Sequence, residues 1–478
     1  MGASMAESNR GILMYETTLG PQARSSIRHI GQTDVLIGIP SYRNGRTILE
    51  VIENVLQGIK TYLPDRRVVL MNADGGSSDH TVRCFEDLEV PANVSKLLIL
   101  YQGQAGKGTA VRAIFEAAIE LQAKVCTVIE ARAPGIQPEW VPALVDPILR
   151  GADMALPCYE RSAFASALSD NLAYPFLCGF FGTCSGPSNM NAIQLREPLP
   201  SEFSLSGSIA ADLAGRDVWE TDVARFGINA WMALQALFSP FQVAQVELGY
   251  RGDGSYDPDA PLDTRFLHTV STLFRVLTTH RRMWQDGSVG SDRASAPAID
   301  RRMADDLRSV GGHIREHGDW GQDSPSVVGA SSNRILNSTS YIEPLLHSLY
   351  EGRERYLALW QQILSAELLA AIEERMAHRE SFYLPIELWA EIVIEFAIVF
   401  NRGEGDPDKV IEALQPLFYG RAASYVRESH PTDSSPMTAA QREQIVRHLV
   451  MRIMQSRPMF LEKWNDYEPW ITDQQGYW

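Results

Sequence analysis

Residues 34–48, "DVLIGIPSYRNGRTI", and residues 68–81, "VVLMNADGGSSDHT", decide how this chain reads. Each opens with a short, unbroken apolar run, the mark of a strand buried on both faces. Each run ends in a Pro- or Gly-rich turn, and a helical pattern follows. After the first turn the apolar positions Ile48, Val51, Ile52, Val55, Leu56 and Ile59 recur at helical spacing. The unit then repeats. "KLLILYQG" (96–103) is a third strand, "GKGTAVRAIFEAAIELQ" (106–122) a helix, and "KVCTVIEA" (124–131) a fourth strand. Strands alternating with amphipathic helices through short turns predict an α/β fold, a mostly parallel sheet covered on both faces. Ligands of such sheets gather at the C-terminal strand ends, where every suggestive turn here falls.

The rest of the chain sets the frame. It has 478 residues, 21% of them charged and 45% hydrophobic, with a formal net charge of -16. That charge argues against nucleic acid and anionic membrane surfaces as partners. No stretch offers the ~20 apolar residues of a membrane span. In the most apolar late segment, 386–400, Glu387, Glu391 and Glu395 share one helix face. The N-terminus lacks the pattern of a signal peptide. Five scattered cysteines without a CxxC spacing read as reduced thiols in a cytoplasmic protein. The expected organisation is an N-terminal arm (1–32), an α/β domain (33–284), an irregular Gly/Ser/Asp-rich linker (285–335) and a helical C-terminal domain (336–478). The histidines read as structural or exposed. Trp219, Trp231, Phe176, Phe180 and Phe181 read as core.

Three turns carry ligand chemistry. Asp74 follows an apolar strand and can accept a hydrogen bond from a base N–H, while Gly75 and Gly76 admit close backbone approach. Ser77 and Ser78 can cap the next helix. "GKG" lacks the spacing of a Walker loop, yet Lys107 at a helix start can meet a phosphate. Neither a zinc-protease HExxH nor a hydrolase GxSxG occurs.

These stretches, with "QPEWVPALVDPIL", "DVWETDVARFGINAWM" and "ALQPLFYGRAASYV", resemble the bacterial family-2-like glycosyltransferases, in particular relatives of glucosyl-3-phosphoglycerate and mannosylglycerate synthases. The resemblance runs over about residues 33–465. It implies a glycosyltransferase-A fold with a helical C-terminal region, a nucleoside-diphosphate-sugar donor and a small acidic acceptor. It places Pro40, Tyr42, Asn44, Asp74, Gly75 and Lys107 at the nucleotide. Among the catalytic candidates it places Glu130, Arg132, Asp222 and Asn229.

The chain also departs from that pattern. The acid-x-acid signature falls on Glu130, Ala131 and Arg132, so one acid is replaced by a cation. "REPLPSEFSLSG" (196–207) stands where relatives have a basic acceptor loop, and Asn229 stands where they have an acid. Residues 249–261 hold Asp253, Asp257 and Asp259 but not the His that would complete a metal shell. Glu130 with Asp257 is the remaining candidate pair for a divalent metal, Mg or Mn. The alternative is chemistry without metal, in which Arg132 takes the diphosphate bidentately. Two readings follow: a hexosyltransferase acting with retention, and a catalytically degenerate binding or assembly subunit. A homo-oligomer is compatible with either.

Overall fold

The computed structural model describes residues 17–182, 195–251, 262–285, 338–403, 405–429 and 438–467. Seven strands form one sheet in the order β3-β2-β1-β4-β6-β5-β7. They are β1 (Val35–Ser41), β2 (Val68–Asp74), β3 (Val94–Leu100), β4 (Val125–Val128), β5 (Met154–Glu160), β6 (Phe203–Ser206) and β7 (Val243–Tyr250). β1 pairs in parallel with β2 and with β4, β2 with β3, and β5 with β7. Only β6 runs against its neighbours β4 and β5. The first two strands are buried at every position, as unbroken apolar runs require.

The helices of the sheet region are α1 (Pro21–Ile30), α2 (Ile48–Tyr62), α3 (Thr81–Glu86), α4 (Lys107–Glu120), α5 (Trp140–Leu149), α6 (Tyr174–Phe181), α7 (Gly207–Ala214), α8 (Ile228–Phe238), α9 (Leu262–Thr279) and α10 (Arg281–Gln285). The C-terminal helices are α11 (Ser338–Ile363), α12 (Ala366–Met376), α13 (Ile386–Arg402), α14 (Pro407–Ser429) and α15 (Ala439–Asn465). The architecture is the expected α/β fold, a mostly parallel sheet covered by helices, with a helical C-terminal region. Among the described residues no helix is long and apolar enough to cross a membrane.

Two cores flank the sheet. One lies under α2, α3 and α5. The other begins under α4 and runs without a break into α11–α15. The expected linker lies, apart from Gln285, outside the described residues. The described part of the N-terminal arm, from residue 17, is packed. Leu19, Ala23 and Ile27 are buried, and Glu116 of α4 accepts from the Thr17 hydroxyl (2.7 Å) and the Thr18 N–H (2.9 Å). The acidic face of α13 is taken up by α15: Glu387 meets His448 (3.4 Å), Glu391 meets Arg452 (2.9 Å) and Glu395 meets Lys463. Trp219, Trp231, Phe176, Phe180 and Phe181 are all buried. The reading of five reduced thiols is corrected at Cys178, which is disulfide-bonded to a partner outside the described residues. Cys84, Cys126 and Cys158 are free.

The glycines around Lys107 serve packing. A Cβ on Gly108 would lie 1.8 Å from the Val223 carbonyl oxygen, and one on Gly106 2.4 Å from that of Ala224. The segment 222–225 therefore sits directly on the mouth of α4. Gly108→Ala should destabilise the protein by about 3 kcal/mol, the upper end for overpacking a tight contact. Gly215→Ala, whose Cβ would meet nothing nearer than 3.6 Å, should be close to neutral. Urea unfolding midpoints of the two variants check this.

Candidate active site

The sheet changes direction at β1. Strands β2 and β3 lie to one side of it and β4 to the other, so the crevice between the C-terminal ends of β1 and β4 is the topological switch point. Ser41 and Tyr42 leave β1 on one side of this crevice, and Glu130 lies just past the end of β4 on the other.

The turns after β1 and β2 are tied together. The Arg43 N–H donates to the Ser77 hydroxyl (2.8 Å), Asn44 N–H to Thr81 Oγ1 (2.7 Å) and Gly45 N–H to Asp79 Oδ2 (2.9 Å). Arg43 adopts a positive φ of 54° to make this turn. Asn44 is engaged locally, its amide oxygen accepting from the Tyr42 N–H (2.9 Å). Asp74 is engaged by its own turn. Its Oδ1 accepts from the N–H groups of Gly76 (2.9 Å) and Ser77 (2.7 Å), and its Oδ2 lies 2.6 Å and 2.9 Å from the Ser77 and Ser41 hydroxyls. A carboxylate offers about four acceptor positions, and these partners fill them. Asp74 is buried and holds the turn. The turn in turn presents apolar surface: Tyr42 is 55% exposed and Leu100, beside Gly76, is 66% exposed. Pro40 is buried at the end of β1.

Past β4 the structure assembles a chain of charges. Lys107 Nζ contacts Glu130 Oε1 and donates to Asn229 Oδ1 (2.8 Å). Arg251, directly after β7, donates to Glu130 Oε2 (2.7 Å) and Glu202 Oε1 (3.1 Å) from one terminal nitrogen and to Ser201 (3.3 Å) from the other. Tyr159 of β5 stacks under the Arg251 guanidinium at 5.3 Å and donates its hydroxyl to Glu202. The Asn229 amide closes the ring to Ser201 (3.3 Å).

The electrostatics follow this arrangement. Burial alone would raise the Glu130 carboxyl, but Lys107 and Arg251 outweigh it and hold it well below the usual carboxylate range. Glu202 is fully buried, and burial raises its carboxyl against the pull of Arg251, with Glu130 adding to the rise. Burial would depress Arg251, but Glu202 and Glu130 together raise it, so it stays charged. Burial and the neighbouring Glu202 likewise push the Tyr159 phenol upward.

Of the expected site residues, Lys107, Glu130 and Asn229 come together here. Arg132 is half-buried two residues past Glu130, but the cations that grip the Glu130 carboxylate are Lys107 and Arg251. Asp222 instead pairs with Arg275 of α9 at 3.6 Å, and burial raises its carboxyl against that pull. Asp257 lies outside the described residues. Two N–H groups at the mouth of α4 are satisfied by the chain itself. The Gly108 N–H donates to the Arg225 carbonyl (3.0 Å) and the Gly106 N–H to the Tyr101 hydroxyl (3.2 Å). Arg251, Glu202, Ser201 and Tyr159 were missed by sequence reasoning. A lone Arg after a strand and a lone Glu before one carry no spacing signal.

The divalent metal of a glycosyltransferase-A site needs several free oxygen ligands. At the end of β4 there is one carboxylate, and each of its oxygens is already held by a cation. Among the described residues no group of three His, Cys, Asp or Glu side chains gathers that could hold an ion. Among the described residues this donor set does not fit a metal.

No family model matches the chain, and no curated protein matches it in sequence. Among solved structures it is similar to glucosyl-3-phosphoglycerate synthase from Mycobacterium tuberculosis. With Mn2+, uridine diphosphate and glucosyl-3-phosphoglycerate, that enzyme aligns at 17% identity and TM-score 0.37, over 56% of this chain and 86% of that one. With Mn2+, UDP-glucose and phosphoglyceric acid the values are 17% and 0.36, over 55% and 85%.

Asp74→Ala should cost about 2–3 kcal/mol of stability, because it strips a charged acceptor from buried donors. A thermal unfolding curve checks this, with the midpoint expected to fall well below that of the unaltered chain.

Proposed function

We propose that this protein is a hexosyltransferase that binds a nucleoside-diphosphate sugar in the crevice between β1 and β4. It transfers the sugar, with retention, to a small acidic acceptor of the glycerate or phosphoglycerate kind. The observation that carries the reading is the convergence at one switch point of exposed Tyr42, the Gly75–Gly76 turn and the Lys107–Glu130–Asn229 cluster. Tyr42 and Leu100 suit the face of a nucleoside, and the charged cluster beyond them suits its diphosphate. The acceptor class and the stereochemistry rest on the sequence resemblance alone.

A second reading has its own support. The Glu130 carboxylate is closed between two cations, and the Gly106 and Gly108 N–H groups at the mouth of α4 are already taken. A chain that kept the fold for binding or assembly could have such a site.

A thermal-shift panel of UDP-, GDP- and ADP-glucose separates the nucleotide reading from its absence. A ligand that binds only the native state at 100 times its Kd stabilises by about 2.7 kcal/mol. One of the three should raise the midpoint clearly, and sugar transfer to 3-phosphoglycerate should follow by product analysis. A midpoint shift without transfer would favour the binding subunit. Silence of all three nucleotides would remove the nucleotide reading.

A further inference from the structure

Resting on the nucleotide reading above, we propose that Arg251 and Lys107 form a metal-independent diphosphate site. In it Glu130 is the resident counter-ion that the diphosphate displaces, not a metal ligand.

The site is built rather than incidental. Arg251 is anchored at its backbone, its N–H donating to the Glu160 carbonyl (2.9 Å). Its guanidinium is fixed from behind by the Tyr159 ring and by Glu202, which has 0% exposure. Its forward contact is Glu130, whose side chain is 25% exposed and so lies at the open end of the group. Arg251 also keeps unused capacity: its Nε is buried without an acceptor among the described residues. Lys107 has three donors, of which Glu130 and Asn229 take two. Two fixed cations thus converge on one carboxylate at the strand end where the donor's diphosphate would lie.

A planar guanidinium and an ammonium are suited to phosphate oxygens. A diphosphate carries more charge and more acceptors than one carboxylate, so it can exchange for Glu130 without leaving either cation unpaired. A divalent ion entering the same space would meet both cations at close range and be repelled.

The test is calorimetric titration of UDP and of inorganic pyrophosphate into the full chain, first with EDTA and then, for UDP, with manganese. UDP and pyrophosphate should both bind in EDTA, and manganese should change UDP affinity less than about twofold. Arg251→Gln should weaken both ligands by about 10–100-fold, the loss of a charge-assisted contact. Glu130→Gln should leave affinity in EDTA unchanged or tighter. Lys107→Gln, and the unaltered chain with and without manganese, keep the test decisive if Arg251→Gln does not fold. UDP binding that requires manganese, or that is lost in Glu130→Gln, would overturn the inference while leaving the nucleotide reading standing. UDP binding in EDTA without pyrophosphate binding, or undiminished in Lys107→Gln, would also overturn it. If neither probe binds and the nucleotide panel is silent, both fall together.

Discussion

The carboxylate of Glu130 sits between Lys107 and Arg251, and through them it joins elements that lie far apart in the sequence. Lys107 belongs to the first turn of α4. Arg251 follows β7, and it leans on Tyr159 of β5 and on Glu202, one residue before β6. The C-terminal ends of β4, β5 and β7, the N-terminal end of β6 and the first turn of α4 thus share a single charged network. A buried network of this kind adds little net stability when intact, because desolvation offsets the attraction. Removing one partner is costly, because it strands a charge. Its value lies in position: it fixes two cations at the switch point of the sheet. The same network determines what the site can take, since a hard cation finds its one carboxylate occupied and an anion finds two donors.

The frame around the site is rigid for separate reasons. Asp74 spends its acceptors on the turn after β2, which locks that turn to the one after β1 and holds Tyr42 at the surface. The segment 222–225 presses on Gly106 and Gly108 and aligns the base of Lys107. On the far side, the C-terminal helices complete the core and are tied in by polar contacts. Arg421 of α14, fully buried, donates to Asn171 (2.9 Å) and to the Leu384 carbonyl (2.9 Å), and Trp389 of α13 donates to the Asn171 carbonyl (2.6 Å). These contacts bind α13 and α14 to the segment that leads into α6.

Much of this was legible in the sequence, and the limits have physical causes. Apolar runs and helical spacing report burial locally, so strands such as Val35–Ser41 and helices such as Ile48–Tyr62 could be read from their own residues. Lys107 was read from its Gly-rich turn at a helix start, and Glu130 and Asn229 from positions that the family resemblance marks. Arg251 was not, because it is 121 residues from Glu130 and reaches it only through the arrangement of β5, β6 and β7. The glycines of "GKG" show the opposite error. A glycine marks close approach but does not say of what, and here the neighbour is the chain's own backbone. The turn contacts of Asp74 were likewise not legible, because a strand-end acid looks alike whether it serves a ligand or its own turn.

The central claim is that cations of the protein, not a metal, meet the diphosphate at the end of β4. Its most direct test is a crystal structure of the full chain with UDP and excess manganese, using anomalous diffraction at the manganese edge. The account predicts diphosphate density against Arg251 and Lys107, Glu130 turned away, and no anomalous peak between them. A manganese peak bridging Glu130 and the diphosphate would contradict it.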